Sequence, residues 1–246
     1  MQTKKQYLKK MKKILILGLV SLLTVACSSK KEGNMLVQGQ IEGLKKGTLY
    51  LQKMQDTVLV SVDSIALLGT DVFTLTDHVT SPEMYYLTFD GNTTDKRIIF
   101  FAEEGTITIK DKVSKFGLNP EITGSKNQEI LDTYYKMTSR FSGKRLDLIK
   151  ESFDAKKAKD TEEVSKIEAE FSRLVKRRYL YTTNYAINNA DYAAAPYIAL
   201  TELADAHIRL LDTVNNSLSN EVKSSTYGKK LAHFIANIKK NETKKK

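Results

Sequence analysis

Ile122-Thr123-Gly124-Ser125-Lys126-Asn127-Gln128 is where the hydrophobic period of the chain changes. Upstream, apolar residues alternate with polar ones; downstream, they recur every three or four positions. Gly124 punctuates the first pattern, and Ser125 is a favoured helix N-cap with Gln128 at capping-box spacing behind it. The fold class expected is therefore α+β: a β-rich part over 35–124, then an α-helical part over 125–240.

Working upstream, Met35, Val37, Gly39 and Ile41 share one side of a period-two stretch. The turn Gly43-Leu44-Lys45-Lys46-Gly47 leads to strands at 48–53 and 58–65. Gly69-Thr70-Asp71 leads into a strand at 72–75, and a strand at 84–89 ends at the turn pair Asp90-Gly91. Residues 97–102 and 106–109 flank Glu103-Glu104-Gly105, which reads as a short hairpin. Seven or eight short strands with no helical pattern between them predict an antiparallel β-sandwich or open barrel.

Working downstream, Ile130, Tyr134, Met137 and Phe141 follow Ser125 at helical spacing, and Gly143 is expected to break or kink the run before Leu146, Ile149 and Phe153 resume it. Asp160-Thr161-Glu162-Glu163 opens what reads as the longest helix, with Val164, Ile167, Phe171, Leu174, Tyr181 and Tyr185 on one stripe and Arg178 at the one polar seam position. That stripe predicts an antiparallel hairpin against the preceding helix. Asn188-Asn189-Ala190-Asp191 ends it; a further helix is expected over 193–211, a break over 215–220 and a last amphipathic helix over 227–239. No internal repeat is visible.

The N-terminus has the three parts of an export signal over 1–26. Lys4, Lys5, Lys9, Lys10, Lys12 and Lys13 form a basic region without an acid, and an apolar run follows at 14–23, too short to span a bilayer. Leu23-Thr24-Val25-Ala26-Cys27 resembles the lipobox of bacterial lipoproteins, with Thr24 where leucine is usual. Cys27, the one cysteine in the sequence, is the expected lipid-attachment residue, and 27–34 the polar tether behind it. Two or more acyl chains, at about 0.8 kcal/mol per buried methylene, hold a protein durably on a membrane. The other reading is a plain secretory leader that happens to contain a cysteine.

The net charge of +10 comes from the ends of the chain. Without the leader 33 basic and 29 acidic residues remain, and the lysine-rich end, including the expected basic tail over 241–246, accounts for the excess. The body is near neutral, which argues against nucleic acid as a partner.

The β-rich part resembles the domain of unknown function 4369, found at the N-terminus of exported thioredoxin-like disulfide oxidoreductases. The residues that carry the resemblance are Gly39-x-Ile41-x-Gly43, Gly47-Thr48-Leu49-Tyr50-Leu51, Val62-Asp63-Ser64 and Gly69 with Phe73. Pro82 with Tyr85, the run from Phe100 to Ile109 and Ile122-Thr123-Gly124-Ser125-Lys126-Asn127 complete it. It covers roughly 35–131, and the helices after it are similar in layout to the family's spacer. In the family a thioredoxin-like domain with a Cys-x-x-Cys pair follows; this sequence ends at Lys246 with one cysteine, so dithiol exchange is not expected of it.

His78, His207 and His233 have no metal-ligand spacing, and His207 reads as half-buried on an apolar stripe. Glu202 with Asp205 reads as a solvated face, Glu103-Glu104 as turn polarity and Asp77-His78 as a loop. No Gly-x-Ser-x-Gly and no phosphate loop is present. Catalytic, cofactor-binding and metal sites are therefore all expected to be none. Tyr134, Tyr135, Tyr179, Tyr181, Tyr185, Tyr192 and Tyr197 crowd the helical part, either as a contact surface for protein or glycan or as filler between sheet and helices. Arg177 and Arg178 are candidates for anion binding or for ion pairs with Glu162, Glu168 or Glu170. The expectation is a non-enzymatic binding or scaffolding lipoprotein of the cell envelope, on the outer membrane, held by lipid and contacting a protein or glycan. The alternative is an accessory partner, in trans, of an envelope thiol–disulfide oxidoreductase system.

Metabolic labelling with a palmitate analogue checks the anchor. Label is expected on the native protein and not on Cys27→Ser; an unlabelled native chain contradicts it.

Overall fold

Period-two burial organises the first half into two facing sheets. The computed structural model describes residues 33–90 and 96–243; the leader, Cys27, most of the tether, Gly91 and the final three lysines lie outside them. The strands are β1 (Met35–Glu42), β2 (Lys46–Gln55), β3 (Val58–Leu68) and β4 (Val72–Asp77), then β5 (Glu83–Phe89), β6 (Ile98–Ala102), β7 (Gly105–Lys112) and β8 (Glu121–Thr123). One sheet has the order β4-β1-β7-β8 and the other β3-β2-β5-β6. Val37, Ile41, Leu75, Ile107 and Ile109 of the first sheet meet Leu49, Leu51, Tyr85, Leu87 and Phe100 of the second in one core. Burying such a side chain is worth about 1.5–3 kcal/mol each.

The two-sheet architecture is the expected one, but the pairing is not wholly antiparallel. β1 runs parallel to β7, Met35 opposite Gly105 through Glu42 opposite Lys112. The connection between these partners contains the whole second sheet and β4, which no local alternation reveals. Glu103-Glu104-Gly105 is accordingly not a hairpin turn. β6 pairs with β5 and β7 with β1, so the link carries the chain from one sheet to the other.

The helices are α1 (Lys126–Ala158), α2 (Thr161–Asn188), α3 (Ala194–Glu202), α4 (Ile208–Ser217), α5 (Asn220–Ser224) and α6 (Thr226–Thr243). Ser125 Oγ accepts the Gln128 N–H at 3.1 Å, so the expected N-cap is in place, and Asp160 Oδ1 caps α2 in the same way by accepting the Glu163 N–H at 2.9 Å. α1 runs unbroken through Gly143 and, at 33 residues against 28, is longer than α2. Glycine weakens a helix without obliging it to break. The helix expected over 193–211 is two: buried Leu203 turns the chain into the core, and His207 starts α4. α4 continues to Ser217 inside the expected break, and α6 continues to Thr243 inside the expected tail.

The helices pack on the outer face of the second sheet at β5 and β6. Met84 and Phe101, opposite each other on β5 and β6, point outward into Ile130, Leu131, Tyr134, Ala194 and Ile198. A separate core lies among α2, α3, α4, α5 and α6, and a small one of Leu148, Ala155 and Ile167 holds the far end of the α1–α2 hairpin. No helix among the described residues is long and apolar enough to cross a membrane.

Two glycines predict opposite outcomes. A Cβ at Gly39 would lie 1.7 Å from the Ile109 carbonyl oxygen, whereas one at Gly143 meets nothing within 4 Å. Gly39→Ala should cost about 2–3 kcal/mol or more by forcing β1 from β7. Gly143→Ala should add about 0.5–1 kcal/mol. Thermal unfolding checks both, at about 2–4 °C per kcal/mol.

Candidate binding cleft

β6 is the edge strand of its sheet, and the residues that close that edge also build a cleft. Gln128 Oε1 accepts the Phe101 N–H at 2.7 Å, and Gln128 Nε2 donates to Asp132 Oδ1 at 2.7 Å. Gln128 therefore docks α1 on the strand instead of completing the capping box. Glu103 satisfies the next donors along: its carboxylate accepts the Lys126 and Asn127 N–H groups and the Asn127 side-chain amide. An acid at a helix N-terminus also meets the positive end of the helix dipole. Asn127 Oδ1 then accepts the Ala194 N–H at 2.9 Å, fixing the start of α3.

At the other end of β6, Asp111 Oδ2 accepts the Gly117 N–H at 2.7 Å and shapes the loop after β7. Gly117, at φ 80, lies so close to the Arg97 backbone that a Cβ would sit 2.4 Å from its carbonyl oxygen. Between these two closures a cleft of about 430 Å³ opens over Ile99. Leu118 and Pro120 of the loop, Asp132 and Tyr135 of α1, Arg97 and Tyr197 line it. Ile99 is 42% exposed, Tyr135 44% and Leu118 72%, so apolar surface faces water here. Phe101 turns its N–H away from β5, and strand alternation turns that of Ile99 the same way, into the cleft. Burial pushes the Asp132 carboxyl above its usual range, against the Gln128 hydrogen bond. Burial raises the Tyr135 and Tyr197 phenols too, keeping both as neutral hydroxyls.

Most of the tyrosines pack the seam between sheet and helices. Tyr197 and Tyr227 meet the Phe101 ring edge-on at 5.6 and 5.8 Å. Tyr134 stacks with Tyr181 and bonds Thr182 Oγ1 at 2.8 Å, and burial pushes its phenol up to about 12. Tyr185 donates to the Ile130 carbonyl at 2.8 Å, and Tyr179 joins the second helical core. Of the seven, Tyr135 and Tyr192 remain exposed; Tyr135 lines the cleft, together with half-buried Tyr197.

The other sequence candidates do not converge. His78, His207 and His233 are exposed and lie on separate elements. His207 is not half-buried on a stripe; its Nδ1 accepts the Arg209 N–H at 3.2 Å, capping α4. Arg178 pairs with Glu202 at 3.1 Å and not with the acids of its own helix. Glu170 and Glu162 pair instead with Lys144 and Lys166. No group of three potential metal ligands occurs among the described residues.

One polar cluster escaped sequence reasoning. Lys53 of β2 lies opposite Tyr85 of β5, on the inner face. Its Nζ donates to Asp77 Oδ2 at 2.8 Å and to Tyr85 OH at 3.0 Å, while Tyr85 OH donates to Asp77 Oδ2 at 2.6 Å. Asp77 ends β4, so the three groups bridge the two sheets; Asp77 is not the plain loop residue it reads as. The available signal was a lysine two residues beyond inward Leu51. Burial opposes the Asp77 charge, but the bonds from Lys53 and Tyr85 outweigh it and hold the carboxyl below its usual range. Burial moves Glu83, 4.0 Å from Lys53, the other way.

A carboxyl whose value is lower folded than unfolded contributes stability above its unfolded value, and that stability is lost as pH falls through the folded one. Native protein should therefore lose more thermal stability than Asp77→Asn between about pH 5 and about pH 3, the window around an unfolded carboxyl near 3.9. Glu83, with the opposite sign, remains in both proteins. Parallel melting curves against pH would contradict this.

The family model described as a domain of unknown function, DUF4369, matches residues 35–131. That span runs from the first residue of β1 into the second turn of α1, and so contains both sheets and the Glu103–Gln128 junction. Neither a curated protein nor a solved structure matches the chain. Residues 35–131 therefore resemble the DUF4369 family, and helices α1, α2, α3 and α6 pack against the outward Met84 and Phe101 of that stretch.

Proposed function

We propose that this chain is a lipid-anchored cell-envelope protein that works as a non-enzymatic binding module. Its contact site is the cleft over Ile99, and its ligand is a short extended segment of a partner protein. The observation that supports this reading is the stretch of β6 edge between the Gly117 loop and Gln128, where backbone and apolar side chains face water together. An extended segment adds to such an edge through main-chain hydrogen bonds, with side-chain pockets supplying selectivity. Ile99 offers the backbone groups, Leu118 and Tyr135 the apolar contacts, and Arg97 and Asp132 charges of both signs. A glycan site would present aromatic faces, and the cleft exposes chiefly aliphatic surface beside Tyr135.

A photo-crosslinker at position 118, followed by mass spectrometry of envelope extracts, tests this. A discrete partner is expected, with capture lowered about five- to tenfold by Ile99→Asp or Tyr135→Ala. No partner above background, or capture indifferent to both substitutions, contradicts it.

A second reading rests on the resemblance of the β-rich part to domains that precede thioredoxin-like ones: an accessory partner, in trans, of a thiol–disulfide oxidoreductase. Under that reading, deletion lowers reduction of envelope disulfides, and the crosslinked partner carries a Cys-x-x-Cys pair.

A further inference from the structure

The far end of the α1–α2 hairpin leaves a helix face uncovered. Its own small core comes from these two helices alone: Leu148 and Ala155 of α1 against Val164, Ile167, Phe171 and Leu174 of α2. On the opposite side of α1, Leu146, Ile149 and Phe153 are 67%, 48% and 69% exposed. At 3.6 residues per turn these three lie within about 60° of one another around the helix. Arg145 and Lys156 flank the stripe on one side and Lys150 and Lys157 on the other, each within about 70° of its centre. Asp147, Glu151 and Asp154 are turned more than about 100° away from it. The four flanking cations are exposed and form no ion pair among the described residues; Lys144, which pairs with Glu170 at 3.4 Å, lies off the stripe.

The surface continues beside the stripe. A groove of about 420 Å³ runs between Phe153 and Phe171, with Glu168 the one acid on its rim. The same side of α2 leads into a second depression, where exposed Leu180 sits with Lys176 and Arg209.

We infer that this hairpin face docks on an anionic lipid surface, its apolar side chains in the headgroup boundary and its cations on the lipid phosphates. Large apolar side chains with lysine and arginine on both flanks are the pattern of an interfacial helix, the long basic stems reaching back to the headgroups. A second copy of the chain fits poorly, because pairing two such faces brings like charges together with no acid on the stripe to meet them. An acidic protein would need a groove complementary to three protruding side chains, whereas a fluid lipid boundary accepts them as they stand. The inference is independent of the cleft over Ile99 and of the chemistry of Cys27.

The chain contains no tryptophan, so Phe153→Trp creates a single reporter at an exposed position. The full chain carrying it is mixed with vesicles of phosphatidylcholine, with or without phosphatidylglycerol. Emission at shorter wavelength and quenching by brominated lipid are expected only with phosphatidylglycerol, and added salt reverses both. Lys150→Glu with Lys157→Glu removes the response, each lost cation weakening the docking equilibrium about fivefold. Water-like emission in both kinds of vesicle overturns the inference. A shift without vesicles that grows with protein concentration overturns it in favour of a second copy. A shift seen only with lipid-free envelope extract overturns it in favour of a protein partner.

Discussion

Glu103 and Gln128 set the relation between the sheets and everything after them. The Glu103 carboxylate satisfies N–H groups at the start of α1 that no helix can satisfy for itself, and Gln128 satisfies the outward N–H of Phe101 on the edge strand. Asn127, held by Glu103, extends the same network to the first turn of α3. Hydrogen bonds to a charged group are worth about 1.5–3 kcal/mol each. Their larger effect is geometric: they cover half of an exposed edge and leave the other half at the floor of a cleft. The edge is thereby protected from indiscriminate strand pairing without being sealed.

Packing follows from that placement. Where β5 and β6 pass beneath the helices both faces are covered, so neighbouring residues such as Met84 and Tyr85, or Phe100 and Phe101, are all buried. Tyrosine suits a seam of this kind, since its ring fills space between sheet and helix while its hydroxyl reaches a polar atom at the margin. Tyr227 shows this: its ring meets Phe101, and its hydroxyl accepts the Met84 N–H at 3.1 Å. The abundance of tyrosine is thus mostly architectural, and the surface available for recognition is narrower than composition implies. Among the tyrosines of the helical part, only Tyr135 and Tyr192 are exposed.

The elements were legible where one physical signal dominated. Alternation located β1, and the side-chain caps at Ser125 and Asp160 located the two long helices. Legibility failed where a distant partner decides. Glu103 reads as turn polarity because its partners, Lys126 and Asn127, lie more than twenty residues ahead. The parallel β1–β7 pair has no local signature. Gly143 reads as a break, yet its neighbours carry the helix through it. His207 keeps apolar spacing but lies past the turn at Leu203, so the stripe it seemed to share belongs to two helices. The cleft was invisible for the same reason: Ile99, Leu118 and Tyr135 come from a strand, a loop and a helix that only the junction brings together.

A cleft built this way is preformed only if sheets and helices fold and melt as one body. Calorimetry of the full chain measures that most directly. One unfolding transition is expected, with calorimetric and van't Hoff enthalpies that agree. Two separable transitions, one for the β-rich part and one for the helices, would contradict it.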